Sequence, residues 1–516
     1  MSADVVIAGG GPNGLMLACE LSLAGVRPVV LERLPERTRE NRANGLIGQV
    51  VRMLDRRGLY EPLGGGPEPP RPWPSHVFGG LPLDLGRLKD NPIYGLPVPQ
   101  LCVEQVLEER AIELGAEIRR GHELTVLSQD GEAVTLDVAG PDGPYRLRAR
   151  YLVGADGGGS LTRRLSGIGF PGVTRDGTVS RTAHVSVPAA LIDSAGLNVP
   201  GYGVIPPFAH HRTERGLFVF GPLPGRPQLV STVEWETAEA GDPPPLTLEE
   251  MRQSIGRVLG ADLPLDPPAG PGPHLLRRLT GGNTRLADRF REGRIFLVGD
   301  SAHVHSAMGG PGLNLGLLDA VNLGWKLAAE VAGDAPPGLL DTYHSERWPV
   351  GRRVVTHTMA QSALIAPGEE VTALRELFTE LLGDQSALRR VADMMAGADT
   401  RYDMTPGAAH PLVGRWAPDL LLDTGTGPVR LAELTRNARP LLLDLTDDGS
   451  PASELPGWRD RVDAITARPK DPATAATALL LRPDCHVAWA SDSPRPARHE
   501  REALRTALAH WFGAAR

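Results

Sequence analysis

The sequence predicts an α/β chain: a parallel-sheet domain interrupted by an inserted antiparallel sheet and followed by a separate C-terminal unit. Three observations predict it. A β-branched run at residues 4–8 passes through glycines into a helix-like stretch at 13–25 and a second apolar run at 28–32, which is a βαβ unit of a parallel sheet. Alternating apolar and polar residues dominate from about 172 to 280, as at 182–187, 216–220 and 229–235, and read as antiparallel strands. The run GRIFLVGD at 293–300 then restores the buried-strand texture of the first domain. The expected division is 1–171 with 281–400, then 172–280, then 405–516.

The remaining elements follow in order. Residues 64–75, rich in Gly and Pro, form a surface loop. Residues 100–115 are helical, 122–138 alternate like a hairpin, and YLVGADG at 151–157 is a buried strand ending in a turn. Long helices are expected over 312–332 and about 337–365. Past about 405, RPLLLDLT and TALLLRPDCHVAWA are two strand patterns flanking a polar loop.

Composition narrows the function. The 516 residues carry a formal charge of -8, so no basic excess exists to displace counterions from nucleic acid or an anionic membrane. Cys19, Cys102 and Cys485 are far apart and form neither a C-x-x-C pair nor a metal-ligand spacing. No run of about 18 uncharged apolar residues appears, so no membrane span is expected. The N-terminus lacks a basic region and runs straight into glycines, which reads as a buried strand, and a cytoplasmic protein is expected.

Three motifs carry chemistry. Gly9-Gly10-Gly11-Pro12-Asn13-Gly14 is a G-x-G-x-x-G between strand and helix. Gly9 permits the tight turn, Gly11 lets backbone approach a pyrophosphate, and Gly14 allows close helix–strand packing, with the helix N-terminus favouring the phosphate charge. Glu32 closes the next strand, where a carboxylate can accept hydrogen bonds from a ribose, and Arg33 follows it. A glycine turn of this kind also occurs without a ligand; the strand before and the acid after favour a Rossmann-like dinucleotide site. The second motif runs from Gly154 through Asp156 to Ser160, with Arg163 beyond it. The third is Gly299-Asp300-Ser301-Ala302-His303, continuing to Gly309-Gly310-Pro311-Gly312-Leu313-Asn314.

In this order, the motifs resemble those of the flavoprotein aromatic hydroxylases, the family of p-hydroxybenzoate and phenol hydroxylases. The overall look is similar to the bacterial aromatic polyketide hydroxylases and rifampicin monooxygenase-like enzymes, over nearly the whole chain. The resemblance implies FAD as cofactor. Asp300 would hydrogen-bond the flavin's ribityl chain, and the backbone from Gly309 to Asn314 would lie against the ring. Arg42, in ENRANGL, matches an arginine near the flavin, and Gln100 a glutamine near the ribityl–phosphate region. Asp156 and Arg163 match a segment associated with both FAD and the nicotinamide nucleotide. The helix starting near Gly312 would aim its positive end at the flavin edge that becomes anionic on reduction. Two positions depart from the pattern: Ala307 replaces a proline, and Pro311 a glutamine, which puts the local shape of the oxygen site in question.

By the same resemblance, NADPH or NADH binds transiently, since no second G-x-G-x-x-G appears. It reduces FAD, O2 then gives a flavin C4a-hydroperoxide, and an aromatic or polyketide substrate takes one oxygen atom, in a monomer or homodimer. Baeyer–Villiger oxidation or epoxidation by the same peroxyflavin is the nearest alternative, and a non-catalytic FAD-fold ligand-binding protein a further one. No catalytic base is identified; His184, Tyr202 and His210 are candidates. His303-Val304-His305 lacks a third metal ligand, so no metal is expected. From about Pro411 the tail resembles the thioredoxin-like domain of many such hydroxylases but has no C-x-x-C, so a packing or assembly role is expected.

Overall fold

Strand β1 (Ser2–Ala8) leads into helix α1 (Pro12–Leu23) and strand β2 (Val29–Glu32). This is a computed structural model that describes residues 2–38, 43–222, 227–235, 244–270, 272, 274–306, 308–404, 410–425, 427–471 and 476–516. β1 and β2 are parallel, with Val6 opposite Val29 and Ala8 opposite Leu31. Helix α2 (Gln100–Glu113) returns the chain to β3 (Glu117–Arg120), which pairs with β2, and β4 (Gly143–Gly154) pairs with β1. Val5, Val6 and Ile7 are fully buried, because a parallel strand covered on both faces needs continuous apolar residues.

A second sheet interrupts this one. It contains β5 (Gly172–Val185), β6 (Gly216–Gly221) and β7 (Gln228–Glu234), followed by helix α3 (Leu248–Leu259) and β8 (Leu276–Leu286). β5 is antiparallel to both β7 and β8, and β6 to β7. Helix α3 had not been expected there. Thr247 caps it by accepting from the Glu250 amide, and Met251, Ile255, Val258 and Leu259 pack against Phe218, Phe220 and Val230. β8 crosses residue 280, the expected edge of the inserted unit, and carries the sheet to Leu286.

The chain then returns to the first sheet. β9 (Ile295–Leu297) lies parallel to β4, so the parallel strands run β9-β4-β1-β2-β3. β10 (His303–Val304) pairs with β8 in the second sheet. The short turn Gly299–Ser301 therefore sits where the chain passes from one sheet to the other.

Helices α4 (Pro311–Ala332), α5 (Asp341–Leu364), α6 (Glu369–Leu382) and α7 (Gln385–Ala396) follow. α4 is buried over most of its length, with Asp319, Asn322 and Lys326 among its buried residues. Leu317, Ala320 and Leu323 enter the core of the first domain, while Trp325 enters that of the C-terminal unit.

The C-terminal unit holds β11 (Leu441–Asp444), β12 (Asp463–Thr466), β13 (Ala478–Leu481), β14 (Val487–Ser491) and helix α8 (Arg498–Phe512). Its sheet has the order β12-β11-β13-β14, with only β11 and β12 parallel. The single strand pattern read in TALLLRPDCHVAWA is thus a hairpin. Among the described residues no helix is long and apolar enough to cross a membrane.

Candidate functional site

In an open parallel sheet, ligands bind outside the carboxyl ends of the strands where the strand order reverses. Here that point lies between β1 and β4, where Gly9 meets Ala155. A Cβ on Gly9 would lie 2.3 Å from the Ala155 carbonyl oxygen, and one on Gly14 would lie 2.0 Å from the Gly9 oxygen. Gly9 also has φ +113, a conformation that side chains rarely adopt. A Cβ on Gly11, by contrast, would meet nothing within 4 Å. The turn is packed tightly on its inner side and open at the N-terminus of α1, which is the shape a pyrophosphate needs. Glu32 closes the turn: its carboxylate accepts from the Gly10 amide at 2.7 Å and the Leu34 amide at 2.9 Å. Arg33 is exposed beside it.

The Asn13 side chain points elsewhere. It packs against Gly299 and Gly316, where a Cβ would lie 1.9 and 2.5 Å from its amide nitrogen. The first turn of α1 is thereby brought against the Gly299–Ser301 turn and α4. Among the described residues the buried Asn13 Oδ1 has no hydrogen-bond partner. The open face at Gly11, at the N-terminus of α1, is what fits an anionic ligand at this place.

Asp300 is exposed at the joint between the sheets. Its neighbours are fixed: Ser301 Oγ donates to the Gly154 carbonyl at 2.6 Å, and the Gly299 amide donates to Asp319 Oδ2 at 3.2 Å. Arg163 donates to the Ser301 carbonyl at 2.8 Å and stacks 3.7 Å from the centre of the Phe170 ring. Asp156 accepts from Ser160 Oγ at 2.5 Å and from the Thr162 amide and hydroxyl at 2.9 Å each. Asp156 therefore secures the turn after β4, and Arg163 ties that turn to the joint.

Helix α4 begins at Pro311 after Gly310, whose φ is +68 and whose Cβ position is open. The proline costs nothing here because the first helical amides lack helical partners. Asn314 faces back: its amide donates to the Gly310 carbonyl at 2.9 Å, and its oxygen accepts from the Ile47 amide at 3.3 Å. Gly312 and Leu313 are half-buried on the same turn. Gln100, the first residue of α2, holds the Ala43 carbonyl through its amide at 2.9 Å and Glu104 through its side chain at 2.8 Å. Arg42 and Ala307 lie outside the described residues.

Two neutral imidazoles flank the loop before α4. Burial pushes His305 down to about 4, helped by neighbouring His303 and opposed by a hydrogen bond to the Ser306 carbonyl. Burial also pushes His357 down to about 4, with His305 and Arg353 acting in the same direction. Unfolded imidazoles take protons first, so this pair gives its full stability above pH 6.5 and loses it as pH falls towards 4. Imidazole 15N shifts of His305 and His357 are expected to stay at neutral-ring values from pH 8 down to pH 5; titration near 6.5 would refute this.

The candidate bases are not gathered in one place. His184 Nδ1 accepts from the Leu275 amide at 3.1 Å, Tyr202 is exposed with its hydroxyl 2.5 Å from His211, and His210 packs against Gly80. His303 pairs with Asp319, and among the described residues no group of three or more His, Cys, Asp or Glu could hold a metal. Sequence reasoning missed Asp319, Arg347 and Tyr402, which support the joint from behind. Arg347 Nε donates to Asp319 Oδ1 at 2.7 Å, and its Nη1 to the Tyr402 hydroxyl at 2.9 Å.

A family model described as FAD binding domain matches residues 2–358, and one described as aromatic-ring hydroxylase, C-terminal, matches 410–515. The chain is 42% identical to the 12-dehydrotetracycline 5-monooxygenase/anhydrotetracycline 6-monooxygenase of Streptomyces rimosus, covering 99% of both chains. It is 40% identical to the rifampicin monooxygenase of Streptomyces venezuelae, again over 99% of each. The solved structure of the anhydrotetracycline hydroxylase OxyS from Streptomyces rimosus superposes with a TM-score of 0.86 at 41% identity, over 100% of both chains.

Proposed function

We propose a substrate class and a set of site residues for a chain that belongs to the FAD-binding family of flavoprotein aromatic hydroxylases and is an FAD-dependent monooxygenase. The substrate is a polycyclic aromatic polyketide or a related phenolic antibiotic. The names of the relatives support this, since one is a monooxygenase of 12-dehydrotetracycline and anhydrotetracycline and another of rifampicin. NADPH or NADH is the reductant, supplied in the cytoplasm. The overall reaction balances as substrate C–H plus O2, NAD(P)H and a proton, giving substrate C–OH, water and NAD(P)+.

Bound FAD supplies hydride acceptance and transfer of one oxygen atom. The chain's part is binding, orientation and exclusion of water. The Gly9–Gly14 turn and the start of α1 receive the pyrophosphate, and Glu32 the adenosine ribose. Asp300 holds the ribityl hydroxyls from the joint. The start of α4, with Gly310 to Asn314, sets its positive end against the ring edge that gains charge on reduction. The substrate lies between the second sheet and the loop before α4, where His305 and His357 add no cation. The C-terminal unit is thioredoxin-like in strand order, which supports that reading, although only a short turn at Ala452–Glu454 stands where the crossover helix would be.

One observation carries the assignment: the Gly299–Ser301 turn, at the ends of β4 and β9, meets the first turn of α1 through Asn13. The purified protein is expected to be yellow. Tetracyclic phenols or ansamycins should stimulate NAD(P)H oxidation, and NMR of the product should show an aromatic or ring-carbon hydroxyl. A ring-expanded ester would redirect the chemistry. A protein that takes up no FAD would end the assignment.

A further inference from the structure

The C-terminal unit reaches the joint between the sheets through an uninterrupted series of hydrogen bonds. The Gly414 amide donates to the carbonyl of Val487, in β14, at 2.9 Å, and the Tyr402 amide donates to the Gly414 carbonyl at 2.9 Å. The Tyr402 ring stacks on His486 with centres 4.2 Å apart. Its hydroxyl accepts from Arg347 Nη1 at 2.9 Å. Arg347 donates onward to Asp319 at 2.7 Å and to the Leu315 carbonyl at 3.3 Å. Asp319 finally accepts from His303 Nε2 at 2.7 Å and from the Gly299 amide at 3.2 Å. Gly299 is the residue before Asp300.

Packing alone does not hold these groups. A cavity of about 50 Å³ is lined by Arg347, Tyr402, His486 and Asn314 among others, so packing on that side is incomplete and hydrogen bonds carry more of the placement. Burial alone would push the Asp319 carboxyl up, but the Arg347 guanidinium and the hydrogen-bonded His303 reverse this and hold it below its ordinary value. An ionised Asp319 is what keeps both the Gly299 amide and the His303 ring in place.

We propose that the C-terminal unit is a working part of the cofactor site, and that Tyr402 and Arg347 are positioning residues that hold the Gly299–Ser301 turn in its FAD-binding shape. This rests on the assignment of Asp300 to the flavin. It gives the C-terminal unit a role without thiol chemistry: once docked, it fixes the Gly299 end of a turn whose Ser301 end is held by Gly154 and Arg163. A cofactor that binds only the held turn stabilises docking in return, because the coupling is reciprocal.

The test uses the full-length chain, stripped of flavin and reconstituted, with Tyr402→Phe, Arg347→Lys and the double variant. Tyr402→Phe removes one hydroxyl and keeps the ring stack, so it should fold. Its FAD dissociation constant is expected to rise about 5-fold, and that of Arg347→Lys at least 10-fold, within the usual span of coupling energies. Since both lie on one path, the double variant should be no worse than Arg347→Lys alone. In the flavin-free protein, the Gly299 amide should exchange with solvent faster in both variants while β13 and β14 keep their protection. A lowered Tm with unchanged FAD affinity and unchanged Gly299 exchange would overturn the proposal. A wild-type chain that binds no FAD would defeat the family reading instead, and Gly299 exchange would still report on the relay.

Discussion

A Gly14→Ala chain is expected to fold and to emerge colourless. The added Cβ would lie 2.0 Å from the Gly9 carbonyl oxygen and 3.3 Å from the Ala155 Cβ. The first contact is with backbone, so no side chain can swing aside. Either α1 lifts from the sheet or the Gly9–Gly11 turn opens, and both movements displace the amides proposed to face the pyrophosphate. Gly9 has little room to give, because its own amide is tied to the Leu31 carbonyl at 2.8 Å. Overpacking of this kind costs about 1–3 kcal/mol of stability. A domain stable by about 5–15 kcal/mol survives that. The cofactor does not, because its affinity depends on the placement of the turn. A loss of at least about 100-fold, or about 2.8 kcal/mol, is expected in FAD affinity. Flavin absorbance after reconstitution, with circular dichroism to confirm folding, checks it. Wild-type affinity in this variant would mean that the glycine turn does not hold the pyrophosphate.

The glycine turn was legible in the sequence because its chemistry is local: strand, glycines, helix and acid lie within about thirty residues, and each has one physical reason to be there. The order of the second and third motifs was legible for a different reason, since resemblance supplied it. Helix α3 could have been found. Met251, Ile255, Val258 and Leu259 follow helical spacing behind a Thr247 cap, but the surrounding alternation suggested strands throughout. The β13–β14 turn could also have been found: Arg482-Pro483-Asp484 interrupts the apolar run between two buried strands, and a Pro-Asp pair favours a turn. His303 was weighed with His305 as a metal pair, whereas its partner is Asp319, 16 residues later on α4. Arg347 pairs with residues 28 and 55 positions away, a separation that no local spacing reveals. The support behind the site is long-range and buried, and only the fold discloses it.

Arg482→Met is expected to be the most destabilising single substitution at the base of the C-terminal unit. Arg482 is buried and donates to both oxygens of Glu346, at 2.6 and 2.8 Å, and to Asp484. Glu346 also accepts from Lys326 Nζ at 2.7 Å. With Arg482 gone, two buried carboxylates face the single charge of Lys326. Breaking a buried pair in this way costs about 3–5 kcal/mol, because the abandoned charge stays out of water. The pH dependence identifies the cause. Burial would push the Glu346 carboxyl up, but Arg482 and Lys326 overcome it and hold it at about 2, against an ordinary value of 4.5. Its contribution in the wild type is therefore full above pH 4.5 and is lost as pH falls towards 2. In Arg482→Met the sign reverses. Two carboxylates sharing one cation leave one of them uncompensated and raised above its ordinary value, and taking up a proton relieves it. The variant should thus lie far below wild type in urea midpoint at pH 7 and approach it as the solution is acidified towards pH 4. A deficit that stays constant over this range would trace the loss to the packing of Arg482 against Trp325 and Trp511, whose ring centres lie 5.2 and 4.5 Å from its guanidinium, and not to its charge.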